Sequence, residues 1–405
     1  MRILVFWRRG SIQQRNTIID HAYSFVRYDK ENEYFYFDTY NGRYAADYAW
    51  IKDGMFDAVI FDYSVFEVRY NNARITEFTE LMSNLWNEVS CVKIAIMQDD
   101  YSLTEKIWEF INRVGIDKVY TPIREEDHPI IYPKEKIGNI DIETVLTGYV
   151  EESIIDKIEL LPHSKREYDV VYRASKLPYS HGKHGQLKYE IAKLFQEKLW
   201  KTTLKVDIEN TLVRDKAILG GEWFAFLASS RLAIGCLGGR GFMDKDGIIA
   251  DRVREYVRLY PDASFEETKA NIFPDIDDYL HGAVSPRIFE CAVTKTCQIL
   301  VGNDYQGIME PDKDYIMLKE DFSNIDDVVE KIYDVDYCEN IAENCYLKTV
   351  KSGAYSYKGF VKMIIDDIRM RVKSPCKLEY DSEYILRMCK INNDNVYQEM
   401  LQNSK

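Results

Sequence analysis

The sequence predicts an α/β protein of two domains, each built on a doubly wound parallel sheet. Three observations carry this. Short apolar runs alternate with amphipathic helical segments, the pattern of successive βαβ units. The alternation pauses in a polar stretch at 151–167 that contains Pro162, and it restarts at Tyr168. A chain of 405 residues with 46% hydrophobic content can fill two cores of ordinary size. The expected division is 1–160 for the first domain and 161–360 for the second. Residues 361–405 are expected as C-terminal helices, with two readings open for the polar stretch 373–405: packing back on the first domain, or lying loose.

In the first domain, Arg2–Trp7 reads as a buried strand ending near Gly10, and Thr17–Val26 as an amphipathic helix. Tyr34–Phe37 and Asp57–Phe61 give two more strands, the latter ending in Asp62. Glu77–Trp86 is helical, Val92–Met97 is a strand that runs into Gln98-Asp99-Asp100-Tyr101, and Leu103–Val114 is a helix. Lys118–Thr121 is a short strand, and a helix such as Ile140–Thr147 closes the domain. In sheets of this kind ligands sit beyond the carboxyl ends of the strands. That rule singles out Arg8–Gly10, Asp62–Ser64 and Asp99–Tyr101.

The second alternation runs through strand Tyr168–Tyr172, a basic glycine-containing loop at 173–185, and helix Gln186–Trp200. Leu204–Ile208 is a strand and Gly221–Ser229 a helix. Leu232–Cys236 is a strand that ends at Gly238-Gly239, and Cys297–Val301 is another. Asp314–Leu318 adds a short strand, Ser323 caps a helix to Tyr333, and helices fill 335–350 and 355–372. No repeat and no low-complexity segment is visible.

Composition narrows the function classes. A net charge of −14 argues against a general nucleic-acid binder. Eight cysteines without a CxxC pair fit reduced thiols in a cytoplasmic protein. No apolar run approaches the ~18–20 residues of a membrane span, and MRILVFWRRG has the wrong charge order for a signal peptide. Charge is uneven, however. Residues 163–216 hold twelve Lys/Arg against seven Asp/Glu, a basic stretch suited to a small anionic ligand.

The segment 281–301, HGAVSPRIFECAVTKTCQILV, concentrates the chemistry. Ser285 suits an N-cap and Pro286 the first helical position, predicting a helix from Pro286 to about Thr294 followed by a strand. Arg287 stands in the first turn, with Glu290 three residues on and on the same face. A cation for phosphate beside a carboxylate for hydroxyls fits a nucleotide-sugar site. An Arg287–Glu290 ion pair on a surface helix is the plainer alternative.

The segments YDVVYRASKLPYSHGKHGQLKYEIAKLF (168–195), GGEWFAFLASSRLAIGCLGGRGFMDKDG (220–247) and SPRIFECAVTKTCQILVGNDYQGIMEPDKDYIMLKEDFSNIDDVVEKI (285–332) resemble the GT-B glycosyltransferases. More narrowly, they resemble bacterial enzymes of surface-polysaccharide assembly (lipopolysaccharide and O-antigen among them), grouped with CgeB-like and family-1 transferases. The first half agrees in organisation and in the QDDY turn. The resemblance implies two Rossmann-like domains facing a cleft, with a nucleotide-sugar donor held by the C-terminal domain. A glycan or glycolipid acceptor would lie against the N-terminal one and could bring the enzyme to a membrane surface as a peripheral protein. It also implies a ribose contact for Glu290 and a reaction without a metal or other cofactor. The chain lacks the glycine-proline-rich loop and paired glutamates of the best-known retaining members, so their stereochemistry and donor do not transfer.

On that basis the donor candidates are Arg173, Lys183, Gly238, Gly239, His281, Ser285, Arg287 and Glu290. Each has a structural alternative. Arg287 and Glu290 have the spacing to pair with each other, or Glu290 with Lys295; Gly238 and Gly239 form a tight turn; Lys183 is solvated. Asp244 and Asp246 meet sugar hydroxyls or cap a turn. Asp99 and Asp100 are the candidates for a catalytic base, with Asp62 next; His21, on an apolar helix, reads as a packed histidine. No cluster with metal-ligand spacing is present. A nucleotide-sugar 2-epimerase or a non-catalytic nucleotide-sugar-binding subunit would use the same donor features.

Overall fold

The computed structural model describes residues 1–9, 16–40, 48, 50–51, 56–87, 89–210, 218–276, 281–302, 304–373 and 382–392. Gly10 and most of the C-terminal stretch after 373 lie outside the described residues. The chain forms two compact units, Met1–Leu146 with Tyr357–Lys405, and Thr147–Ser356. The first crossing therefore comes before residue 160. The stretch expected as a linker is bound into the second unit. Val150 N donates to Tyr355 O at 2.8 Å, His163 Nε2 to Lys295 O at 2.8 Å, and the Arg166 guanidinium to Ser230 O and Thr294 O.

The first unit carries six strands: β1 (Arg2–Trp7), β2 (Glu33–Asp38), β3 (Ala58–Phe61), β4 (Val92–Ile96), β5 (Lys118–Thr121) and β6 (Asp141–Thr144). They pair in parallel in the order β2-β1-β3-β4-β5-β6. Every residue of β1 is buried, as expected for a central strand covered on both faces. β6 replaces the expected helix at 140–147. Asp141–Thr144 pairs with the open edge of β5, where Lys118 Nζ meets Glu143 at 2.6 Å. The edge of a sheet outweighs a weak local helix preference. Helices Tyr357–Arg371 and Ser382–Asn392 belong to this unit. Arg2 donates to Ser382 Oγ at 3.0 Å, and Ile385 and Cys389 are buried.

The second unit has β7 (Tyr168–Arg173), β8 (Val206–Glu209), β9 (Ser230–Gly235), β10 (Gly238–Arg240), β11 (His281–Ala283), β12 (Cys297–Val301) and β13 (Ile316–Leu318). Five of them form a parallel sheet in the order β13-β12-β9-β7-β8, and β10 pairs antiparallel with β11. Taken by chain order, the two sheets share the pattern 2-1-3-4-5, with β6 added to the first. In each, the direction of winding reverses beside the unit's first strand. One core gathers Val170, Ile191, Phe195, Ile234, Ile299 and Val328 around the second sheet.

Several expected boundaries move. Helix Gly182–Leu199 takes in Lys183, His184 and Gly185, so the basic loop is shorter than 173–185. The helix to Tyr333 starts at Ile325, with Asn324 rather than Ser323 at the cap position. Two helices, Ile248–Leu259 and Phe265–Ile272, stand where no element was expected. Among the described residues no helix is long and apolar enough to cross a membrane.

Candidate functional site

In the second unit the sequence-derived residues gather toward the carboxyl ends of β7 and β9, the strands beside which the winding reverses. The helix that carries Arg287 spans only the seven residues Arg287–Val293, shorter at both ends than expected, and Pro286 occupies its cap position. Ser285 still serves this end, since its Oγ accepts the Arg287 N–H at 3.4 Å. The inner face, Ile288, Phe289, Ala292 and Val293, is buried, which fixes Arg287 and Glu290 on the outer face.

The Arg287 guanidinium lies 5.8 Å from the Tyr172 ring centroid and 5.4 Å from that of Trp223. Its side chain forms no hydrogen bond or ion pair among the described residues. The pairing with Glu290 offered by the helical spacing is not made. Glu290 Oε2 instead accepts the Trp223 indole N–H at 2.7 Å, and Lys295 pairs with Glu343 at 2.5 Å. Two aromatic faces hold the cation, and the indole that helps to hold it also fixes the carboxylate. Burial pushes the Cys236 thiol up, while Lys188 and Arg287 pull it back. Both cations therefore act electrostatically at the carboxyl end of β9.

Other candidates have structural tasks. Arg173 forks onto Asp207 of β8, at 2.9 Å and 2.6 Å, with its guanidinium 4.4 Å from the Phe226 centroid. Gly238 and Gly239 lie in β10, and Gly239 has φ +115°. A Cβ at Gly239 would come within 1.9 Å of the His281 carbonyl oxygen, so glycine is needed there for a neighbouring strand. His281 is buried, and desolvation followed by the nearby Arg240 charge pushes its pKa down to about 4; it is neutral at pH 7. Lys183 is exposed on the first turn of its helix. Asp244 is buried, accepts Ala250 N–H at 2.9 Å and meets Arg240. Asp246 accepts Ile248 N–H at 3.1 Å. Both aspartates thus organise the start of helix Ile248–Leu259.

Trp223 and Tyr172 are the members of this cluster that sequence reasoning did not single out. An aromatic on the first turn after Gly220-Gly221 was a usable signal for Trp223, but its partner lies 67 residues away.

In the first unit Asp99 and Asp100 separate sharply. Asp99 is exposed, in the left-handed region with φ +56°, and accepts the Tyr101 hydroxyl at 2.5 Å. Arg69, buried beneath, binds the carbonyls of Gln98 and Asp99 and so shapes the turn. Asp100 is fully buried, and its Oδ2 accepts the hydroxyls of Thr121 and Tyr132. Its Oδ1 has no hydrogen-bond partner among the described residues. Desolvation, partly offset by those hydroxyls, pushes its pKa up to about 6. Asp62 is also fully buried; it takes the Ser64 amide and hydroxyl on one oxygen and His21 Nδ1, at 2.5 Å, on the other. The His21–Asp62 pair is enclosed by Tyr63, Tyr357 and Phe360. It fastens helix Asn16–Tyr28 to the end of β3. Among the described residues no three or more His, Cys, Asp or Glu side chains are grouped to hold a metal ion.

No protein-family model matches this sequence, and no curated protein matches it. Among solved structures, it is similar to an alpha-glucosyltransferase in complex with UDP and a 13-mer DNA containing a HMU base. The TM-score is 0.56 at 11% identity, covering 91% of this chain and 99% of that one. An alpha-glucosyltransferase in complex with UDP-glucose and DNA containing an abasic site gives 0.53 at 11% identity, covering 91% and 99%. Anabaena Alr3699/HepE in complex with UDP-glucose gives 0.49 at 9% identity, covering 91% and 100%. At such identities the likeness is one of fold, and the fold is that of the GT-B glycosyltransferases.

Proposed function

We propose that the chain is a glycosyltransferase, with a nucleotide-sugar donor bound in the second unit and a glycan or glycolipid as acceptor. One observation carries the reading. Arg287 holds its charge over Trp223 and Tyr172 with no carboxylate partner among the described residues, near the reversal point of a doubly wound sheet. A part-desolvated guanidinium without a counterion suits a diphosphate, and Lys188 adds to the local field. Glu290, steadied by the Trp223 indole, is placed as an acceptor for ribose hydroxyls.

Two solved structures of similar fold with TM-scores above 0.5 contain UDP or UDP-glucose, which makes UDP-sugars the first donors to try. Their DNA is not carried over, because a net charge of −14 opposes a polyanion. A place in bacterial surface-polysaccharide assembly rests on the sequence resemblance.

In the reaction, the acceptor hydroxyl oxygen bonds to the anomeric carbon as the bond from that carbon to the diphosphate oxygen breaks. The nucleoside diphosphate leaves with the electron pair, and Arg287 and Lys188 stabilise its charge, which is why we propose that no metal is required. The hydroxyl proton goes to a carboxylate, and exposed Asp99 rather than enclosed Asp100 is the one we assign. The test is release of the nucleotide (UDP, GDP or CMP, according to the donor) and sugar transfer from a panel of UDP-, GDP- and CMP-sugars in the presence of EDTA. Turnover of at least one donor is expected, with Asp99→Asn slowed about a hundredfold or more. A folded protein that cleaves none of them would overturn the reading.

A further inference from the structure

Arg8 has no place in the donor site. It follows β1, beside which the winding of the first sheet reverses, so it stands where a ligand of that sheet would bind. Its main chain is fixed, since the Arg8 amide donates to Ser64 Oγ at 3.0 Å and that hydroxyl is itself bound to Asp62. Its guanidinium lies 5.1 Å from the Tyr40 ring centroid. The side chain finds no hydrogen-bond acceptor and no ion-pair partner among the described residues.

The charges around it do not satisfy it. Asp38 and Glu67 act on Arg8 from a distance, but Asp38 Oδ1 accepts the amides of Arg9 and Tyr40, and Glu67 is exposed. Against them stands a second cation. Arg74, in the first turn of helix Asn72–Trp86, is exposed, pairs with no acidic side chain among the described residues, and repels Arg8. Desolvation, followed by Arg74, holds the Arg8 guanidinium below its ordinary value. Two unpaired guanidiniums, one stacked and partly desolvated, are an unfavourable arrangement that an oxyanion would relieve.

We propose that Arg8 and Arg74 bind a phosphate group of the acceptor, so that the acceptor is a phosphate-bearing glycan or glycolipid. A phosphate presents enough oxygens for both forks, whereas a carboxylate presents two. The proposal rests on taking the first unit as the acceptor side.

The experiment titrates the full chain, with UDP in saturating excess to occupy the donor site, against glucose 6-phosphate, glucuronate and glucose. A parallel arm measures co-sedimentation with phosphatidylcholine vesicles with and without phosphatidic acid, separating a soluble phosphate ester from a lipid-borne one. Binding of glucose 6-phosphate or of the phosphatidic acid vesicles is expected, with glucuronate and glucose at least about tenfold weaker than the sugar phosphate if that is the form bound. Arg8→Gln and Arg74→Gln should each weaken the phosphate ligand about tenfold. Arg74 lies on an exposed turn, so its variant reports even if Arg8→Gln does not fold. Failure of UDP to bind would count against the donor reading alone, since the phosphate arms can be run without it. No phosphate binding, binding unaltered in the Arg74→Gln variant, or glucuronate bound as tightly as the sugar phosphate would overturn the proposal.

Discussion

At the residue scale, the site depends on which polar groups are engaged and which are not. Trp223 connects Arg287 with Glu290, so its substitution separates stacking from hydrogen bonding. Trp223→Phe keeps a ring under the cation but removes the indole donor. It should weaken nucleotide affinity by about three- to tenfold, less than Arg287→Ala, as measured by calorimetry. Asp100 makes a pH prediction. Burial raises its folded pKa to about 6, above the ordinary carboxylate value of 3.8. The native state therefore holds this proton more tightly than the unfolded chain, and the cost of ionising it appears as pH rises from about 4 to about 6. Urea melts of wild type and Asp100→Asn should converge or cross in the variant's favour by about 2–3 kcal/mol between pH 4 and pH 7. A constant difference would show that Asp100 ionises as it does in water.

The elements explain why some of this was readable from sequence and some was not. Central parallel strands such as β1, β3 and β12 are uniformly apolar because both faces are covered, and each was found as an apolar run. β6 was missed because DIET at a sheet edge carries no such run. Helix Ile248–Leu259 was missed for a related reason: Val253 is its one fully buried side chain. Arg287 and Glu290 were legible because helical spacing puts them on one face, whereas Arg173's engagement by Asp207 depends on β7 pairing with β8. Gly238 and Gly239 read in the sequence as a tight turn, but they lie in β10 against β11, a pairing that was not legible because β11 lies more than forty residues on. That pairing is testable. Gly239→Ala forces a Cβ to 1.9 Å from a backbone oxygen at a positive φ, while at Gly238 the nearest atom stands at 3.4 Å. Gly239→Ala should cost about 3 kcal/mol or more in thermal or urea unfolding, and Gly238→Ala about 1 kcal/mol.

At the scale of the whole molecule, one winding pattern is used twice, and each unit holds near its reversal point an arginine that has no ion-pair partner among the described residues. Arg287 in the second unit and Arg8 in the first each lie against aromatic rings and not against a carboxylate. Acid sensitivity also belongs here. His163 and His281 are buried in the second unit, and desolvation pushes each down to about 4. An unfolded histidine takes a proton near pH 6.5, so stability present above that value is lost as pH falls from about 6.5 toward about 4. This is opposite in sign to the Asp100 effect, and His163→Gln should flatten the acid limb by roughly 2 kcal/mol, read from unfolding midpoints across that range. The donor site remains the central claim, and calorimetric titration of wild type and Arg287→Ala with UDP, GDP and CMP tests it most directly. Saturable binding of one nucleotide, weakened about tenfold or more in a variant that melts like wild type, is the predicted result; no binding by the folded wild type, or equal binding by both proteins, would contradict it.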